Sequence, residues 1–163
     1  MPLVKAGHVV EDPFARVLDD APLPDGPILL PAERFLADSA DLASRAAPVG
    51  VLWPNHRKVS GLAPHMHRLA LIALTFPSFR DGRAYSQARL LRESYGFRGE
   101  LRATGDILRD QFLFLVRAGF NAFEVKKEAD AAAFTDSAAR YSVFYQPAGD
   151  GQASAMRRRL AER

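Results

Sequence analysis

The chain of 163 residues contains no cysteine, which excludes structural disulfides, thiolate-held iron–sulfur clusters and cysteine nucleophiles. It also lacks any apolar run near the roughly 18 residues that a membrane-spanning helix needs. The opening stretch MPLVKAGHVVEDPF has no apolar core of the signal-peptide kind, so a cytoplasmic, bacterial-type protein is the expectation. A large excess of charge of one sign is lacking too. Twenty-two basic residues face 19 acidic ones, for a formal +3, and Arg157, Arg158, Arg159 and Arg163 cluster at the end. The body is therefore close to neutral, and the balance permits anion binding without demanding nucleic acid.

What is present is an ordinary globular composition, 48% hydrophobic and 25% charged, on a chain long enough to bury one core. Residues 1–27 hold five of the 11 prolines and little periodicity, and read as an extended arm with a short hairpin near His8 to Val10. Residues 28–147 read as a single α/β domain, and 148–163 as a flexible basic tail. Within the domain, strands are expected to start near positions 28, 49, 69, 100, 121 and 142, with helical patterns between them. The centre is Leu69 to Val125. There an apolar strand, a helix from Arg83 to Tyr95, a strand from Glu100 to Ala103, a helix ending at Gly119 and a third strand follow one another.

Right-handed crossovers between neighbouring strands place every helix on one side of the sheet. The other face is then bare, so the sheet must curl or find a partner, and a homodimer would supply one. The expected fold is α/β, with repeated βα units forming a mainly parallel curved sheet or partial (βα) barrel. The alternative is a doubly wound parallel sheet with one reversal of strand order.

In either fold, ligands sit beyond the carboxyl ends of the strands. That rule nominates a cationic rim. Arg80, Arg83, Arg102, Gly105, Arg109 and Lys126 are its anion- or partner-binding candidates, and Asp81 and Asp106 its acid/base candidates. Each has a plainer account. Asp81 and Asp106 stand where helix caps stand, the glycines where turns and helix stops fall, and Arg109 beside Asp110 suits a solvated pair. No GxGxxG or Walker loop is present, no nucleophile elbow surrounds Ser78 or Ser86, and His65 and His67 fall on opposite sides of a helix. No cofactor and no metal site is evident, and membrane or nucleic-acid partners are not indicated.

The run FPSFRDGRAYSQARLLRESYGFRGELRATGDILRDQFLFLVRAGFNAFEV resembles a bacterial domain-of-unknown-function family encoded beside sulfite reductase in operons of assimilatory sulfate reduction. Some of its members carry the label oxidoreductase. The resemblance covers roughly residues 28–147, implies a pathway context, and brings no catalytic residue set. It leads to two expectations. One is an accessory protein that binds sulfite reductase, its electron donor or an anionic pathway metabolite through the cationic rim. The other is a small cysteine-free enzyme acting on an anionic substrate.

Overall fold

The computed structural model describes residues 1–18, 20–139 and 143–161. Among these residues eight strands form one sheet: β1 (Leu3–Lys5), β2 (His8–Val10), β3 (Ala15–Arg16), β4 (Ile28–Pro31), β5 (Val49–Trp53), β6 (Leu69–Phe76), β7 (Glu100–Gly105) and β8 (Ala122–Glu124). Their order is β2-β1-β8-β7-β6-β5-β4-β3. Strands β3 to β8 are parallel, each beside its neighbour in sequence. The hairpin β1–β2 is antiparallel and joins the sheet along β8. Its turn is Ala6-Gly7, both at positive φ (49° and 84°), the backbone combination that suits a tight hairpin.

No reversal of strand order occurs from β3 to β8, so the sheet is not doubly wound. Helices α1 (Ala32–Ala37), α2 (Arg83–Arg89) and α3 (Phe112–Ala118) lie in connections between strands, α4 (Asp130–Ala139) follows β8, and α5 (Ala155–Ala161) lies near the end of the chain. Phe35, Ala84, Ala88, Leu91, Phe112, Leu115 and Phe134 from the helical layer share one core with Leu30, Val51, Ile72, Leu74, Ala103 and Phe123 of the strands. The opposite strand face carries a separate, smaller apolar patch of Leu29, Leu71 and Ala73, with Leu52 and Phe14 packed on it. All helices that pack on the sheet therefore lie outside, as the crossover rule requires. The bare face is concave, and the sheet is a half-barrel.

Several local elements differ from the sequence expectation. The first 27 residues contribute three strands rather than mainly an extended arm. Between β4 and β5 the helical pattern is broken into α1 and a separate 3₁₀ turn at Asp41–Ser44, and between β5 and β6 residues 59–68 are 3₁₀ throughout, with Pro64 inside. Beyond Arg89 the α2 helix widens into a π turn, Leu90–Ser94, before Gly96. In α4, Ala131 and Phe134 face the core and Ala132 does not. Residues 143–146 form no strand. Their aromatic alternation has another cause, since Phe144 lies over the Arg117 guanidinium at 4.0 Å on the helical side. Arg140, Ser142 and Arg163, part of the expected last helix, last strand and basic end, lie outside the described residues.

Candidate functional site

The carboxyl ends of β5, β6, β7 and β8 open into loops that stand side by side. Their core is the turn after β6, Pro77 to Gly82. Phe79 anchors it through both of its main-chain polar groups: its N–H donates to Asp106 Oδ2 at 3.2 Å, and its carbonyl accepts from Gln111 Nε2 at 3.0 Å. Gln111 Oε1 in turn accepts the Leu108 N–H at 2.9 Å. Asp106 follows the left-handed Gly105 (φ 96°) and also receives Lys126 Nζ at 2.7 Å, so it ties three loops together. It caps no helix, since the turn at Arg109–Gln111 and α3 begin further on.

Asp81 is held by its neighbour. Arg83 donates Nε and Nη2 to the two carboxylate oxygens at 2.9 and 2.6 Å, and its backbone N–H reaches Oδ1 at 3.2 Å. The Arg83 guanidinium, aided by that N–H and by the amide of Asn55, holds the Asp81 carboxyl well below the usual carboxylate range against a smaller opposing effect of burial. Among the described residues, Asn55 Nδ2 is buried with no partner at hydrogen-bond distance. Asp106 is also lowered, first by the Lys126 ammonium and then by the Phe79 N–H. Both acid/base candidates are thus ionised and already committed to partners. Arg109 is paired with Asp130, and Arg57 with Glu33 at 2.8 Å. Lys58, Arg80 and Lys127 are exposed and form no ion pair among the described residues; Arg80 lies over the Phe79 ring at 5.4 Å.

Arg102 is not on this rim. Strand β7 continues to Gly105 rather than ending at Ala103, which puts Arg102 mid-strand and facing the concave side, with 0% exposure. It donates to Glu100 (2.7 Å), to Glu124 (3.0 Å) and through both terminal nitrogens to Asp12 (2.6 and 2.9 Å). Glu124 also accepts from Thr104 Oγ1 at 2.6 Å and from Arg16 at 2.5 Å, and Lys5 pairs with Glu100 at 2.6 Å. Burial pushes the Glu124 and Asp12 carboxyls up, but the hydrogen bonds and charges of Thr104, Arg16 and Arg102 leave both below their ordinary values. Asp12 and Phe14 belong to a strap, residues 11–14, that crosses the concave face from β2 at one sheet edge to β3 at the other.

The concave network was not foreseen, although period-two alternation signalled it. Leu101 and Ala103 alternate with Glu100, Arg102 and Thr104, and Phe123 precedes Glu124. The histidines serve packing and surface roles: His65 sets its ring edge-on to Phe35 at 5.3 Å, with Nδ1 3.1 Å from Arg68. Among the described residues no three His, Cys, Asp or Glu converge as metal ligands. On the helical side, Tyr85, Leu113, Phe114, Arg117, Phe144 and Tyr145 line an open groove of about 780 Å³. No described helix is long and apolar enough to cross a membrane.

The model of a family described as "Bacterial protein of unknown function (DUF934)" matches residues 50–156. The chain belongs to this family. Among curated proteins none matches it. The DUF934 span begins within β5 and ends in α5, so it takes in the rim loops, Arg102 and Glu124. The strap with Asp12 and Phe14, and Arg16 of β3, precede it.

Proposed function

We propose that this DUF934 protein is a non-catalytic accessory component of assimilatory sulfate and sulfite reduction. Its role is to dock through the carboxyl rim onto an acidic surface of sulfite reductase or of that enzyme's electron donor. The observation that carries the docking role is the division of charge at the rim. Asp81, Asp106 and Asp130 are each neutralised by a neighbouring cation, and among the described rim residues left exposed without an ion pair the cations Lys58, Arg80 and Lys127 outnumber the acids Asp110 and Glu128. A carboxylate kept ionised by an ion pair is a poor proton donor near neutral pH, and an exposed unpaired cation suits electrostatic steering of an acidic partner. The pathway context is what the sequence resemblance implies.

The test is affinity purification of the tagged chain from its host under sulfate limitation, followed by mass spectrometry. Recovery of the reductase or its electron donor, lost when Lys58, Arg80 and Lys127 are changed together to Glu, supports the proposal. A chain that comes down without either protein, or recovery indifferent to the triple charge reversal, overturns it.

A further inference from the structure

The concave face, which the helices leave uncovered, gathers charged groups beside an apolar patch. Apart from the strap, it holds three cations, Lys5, Arg16 and Arg102, against two carboxylates, Glu100 and Glu124. One positive charge is left over. Asp12 supplies the missing negative charge, and it does so in a particular geometry. Its two oxygens lie 2.6 and 2.9 Å from the two terminal nitrogens of the fully buried Arg102, the paired arrangement by which a guanidinium recognises a planar carboxylate.

Two residues on, Phe14 rests against the apolar patch of Leu29, Leu71, Ala73 and Leu52, its ring 6.0 Å from the Arg102 guanidinium carbon. Acid and ring together form one unit: a carboxylate in an arginine fork with an apolar group beside it. What holds this unit in place is mostly side chain. Among the described residues, 11–14 make no backbone hydrogen bond to another main-chain group, and the Phe14 N–H turns back to Asp12 Oδ1 at 3.1 Å. Main-chain attachment resumes only at Ala15, which donates to Pro27, and Val17, which donates to Leu29. Asp12 retains 30% side-chain exposure, so the fork is closed by a group that water already reaches.

We propose that the concave face is a binding site for a small carboxylate bearing an apolar group, and that Asp12 and Phe14 of the strap occupy it as an internal stand-in. Arg102 holds the ligand's carboxylate in place of Asp12, and Leu29, Leu71 and Ala73 receive its apolar part in place of Phe14. Arg16 and Glu124 stay paired at the wall. Because the strap competes for the same contacts, the intact chain binds more weakly than a chain without the two side chains. The site lies on the opposite face of the sheet from the helices and does not depend on the docking role of the rim.

The test uses phenylacetate, acetate and sulfate as probes on the full chain and on the Asp12→Ala/Phe14→Ala variant, with thermal unfolding followed by Trp53 fluorescence. Phenylacetate at roughly 100 times its dissociation constant is expected to raise the variant's midpoint by about 5 °C or more, with acetate weaker and sulfate inert. A shift no larger than that of the unaltered chain overturns the site, and an equal response to sulfate overturns recognition by a planar fork. Hydrogen exchange of the unaltered chain keeps the proposal testable if the variant fails to fold. Phenylacetate should speed exchange over residues 14–17, and Arg102→Lys, which keeps the charge but loses the fork, should abolish that response. Unchanged exchange in the unaltered chain overturns the displacement of the strap.

Discussion

Arg16 and Glu124 meet at 2.5 Å although five strand intervals separate β3 from β8 in the sheet. In a flat sheet those strands would lie about 24 Å apart, beyond the reach of any two side chains. Their ion pair is therefore a direct measure of curl, and it is made on the face that the helices leave uncovered. A one-sided parallel sheet must hide that face. This one does so by bending around a charge network and laying its own strap across it.

The centre of that network is Arg102, and its loss is expected to be costly. Arg102→Met leaves Glu100 and Glu124 facing each other and strands Asp12. Breaking a buried pair by removing one partner typically costs about 3–5 kcal/mol. Urea unfolding followed by the fluorescence of Trp53, which is fully buried, reads the change directly. A loss below about 1 kcal/mol, the range of exposed ion pairs, would show that the network is solvated and does not hold the curl.

The same carboxylates set an acid limit on stability. Glu124 and Asp12 have folded-state pKa values below their ordinary 4.5 and 3.8. The folded chain therefore binds fewer protons than the unfolded chain across that interval. The stabilisation is complete above the unfolded values and disappears as pH falls through the folded ones. Stability should be flat from neutral pH down to about 4.5 and decline below it. In Glu124→Gln the decline should be shallower, because one titrating group is gone. Unfolding free energies in urea between pH 6 and pH 2 check both slopes, and a stability that rises on acidification would contradict the assignment.

Gly105 and Gly96 separate two costs that are usually confounded. Both have positive φ, 96° and 65°. A Cβ at Gly96 would meet nothing within 4 Å, whereas at Gly105 it would lie 2.3 Å from the Phe76 carbonyl oxygen. That oxygen cannot retreat easily, because the Asp106 N–H donates to it at 2.8 Å. Gly96→Ala should cost about 1 kcal/mol, the backbone conformation alone. Gly105→Ala adds a main-chain clash and should exceed about 2 kcal/mol. Equal costs in parallel urea titrations would mean that the β6–β7 pairing yields at its end.

The repeated βα order was legible because apolar strand runs, helix stops at Gly96 and Gly119, and crossover handedness all act locally. Helical placement on one face followed from the same rule. Two things were not legible. Ending β7 at Ala103 made Arg102 look like a loop cation, when two further residues of pairing with Thr75 and Phe76 fix it mid-strand and inward. The strap was hidden because Asp12-Pro13-Phe14 has no periodicity; its meaning lies in contacts with residues about 90 positions away. At the rim, sequence identified many of the charged groups but not their partners, since Asp106 with Lys126 and Arg109 with Asp130 pair across loops about 20 residues apart.

Asp106 offers the sharpest separation of a structural from a chemical role. Its carboxylate accepts both the Phe79 N–H and Lys126 Nζ, so it holds the β6 loop against the loops that follow β7 and β8. If that is its task, Asp106→Asn keeps one acceptor oxygen and a similar shape and should loosen the loop only slightly, while Asp106→Ala removes both contacts. The Phe79 amide should then exchange markedly faster in the Ala variant than in the Asn variant. Phe112 and Leu115 amides in the neighbouring helix should be unaffected in both. Gln111→Ala, which releases the Phe79 carbonyl, should loosen the same turn by a separate route, because the two residues grip consecutive peptide units on either side of the Phe79 Cα. Hydrogen exchange resolved by NMR reads all three variants. Protection of Phe79 that survives Asp106→Ala would mean that this carboxylate is free of the structural task, and would return it to consideration as a proton-transfer group.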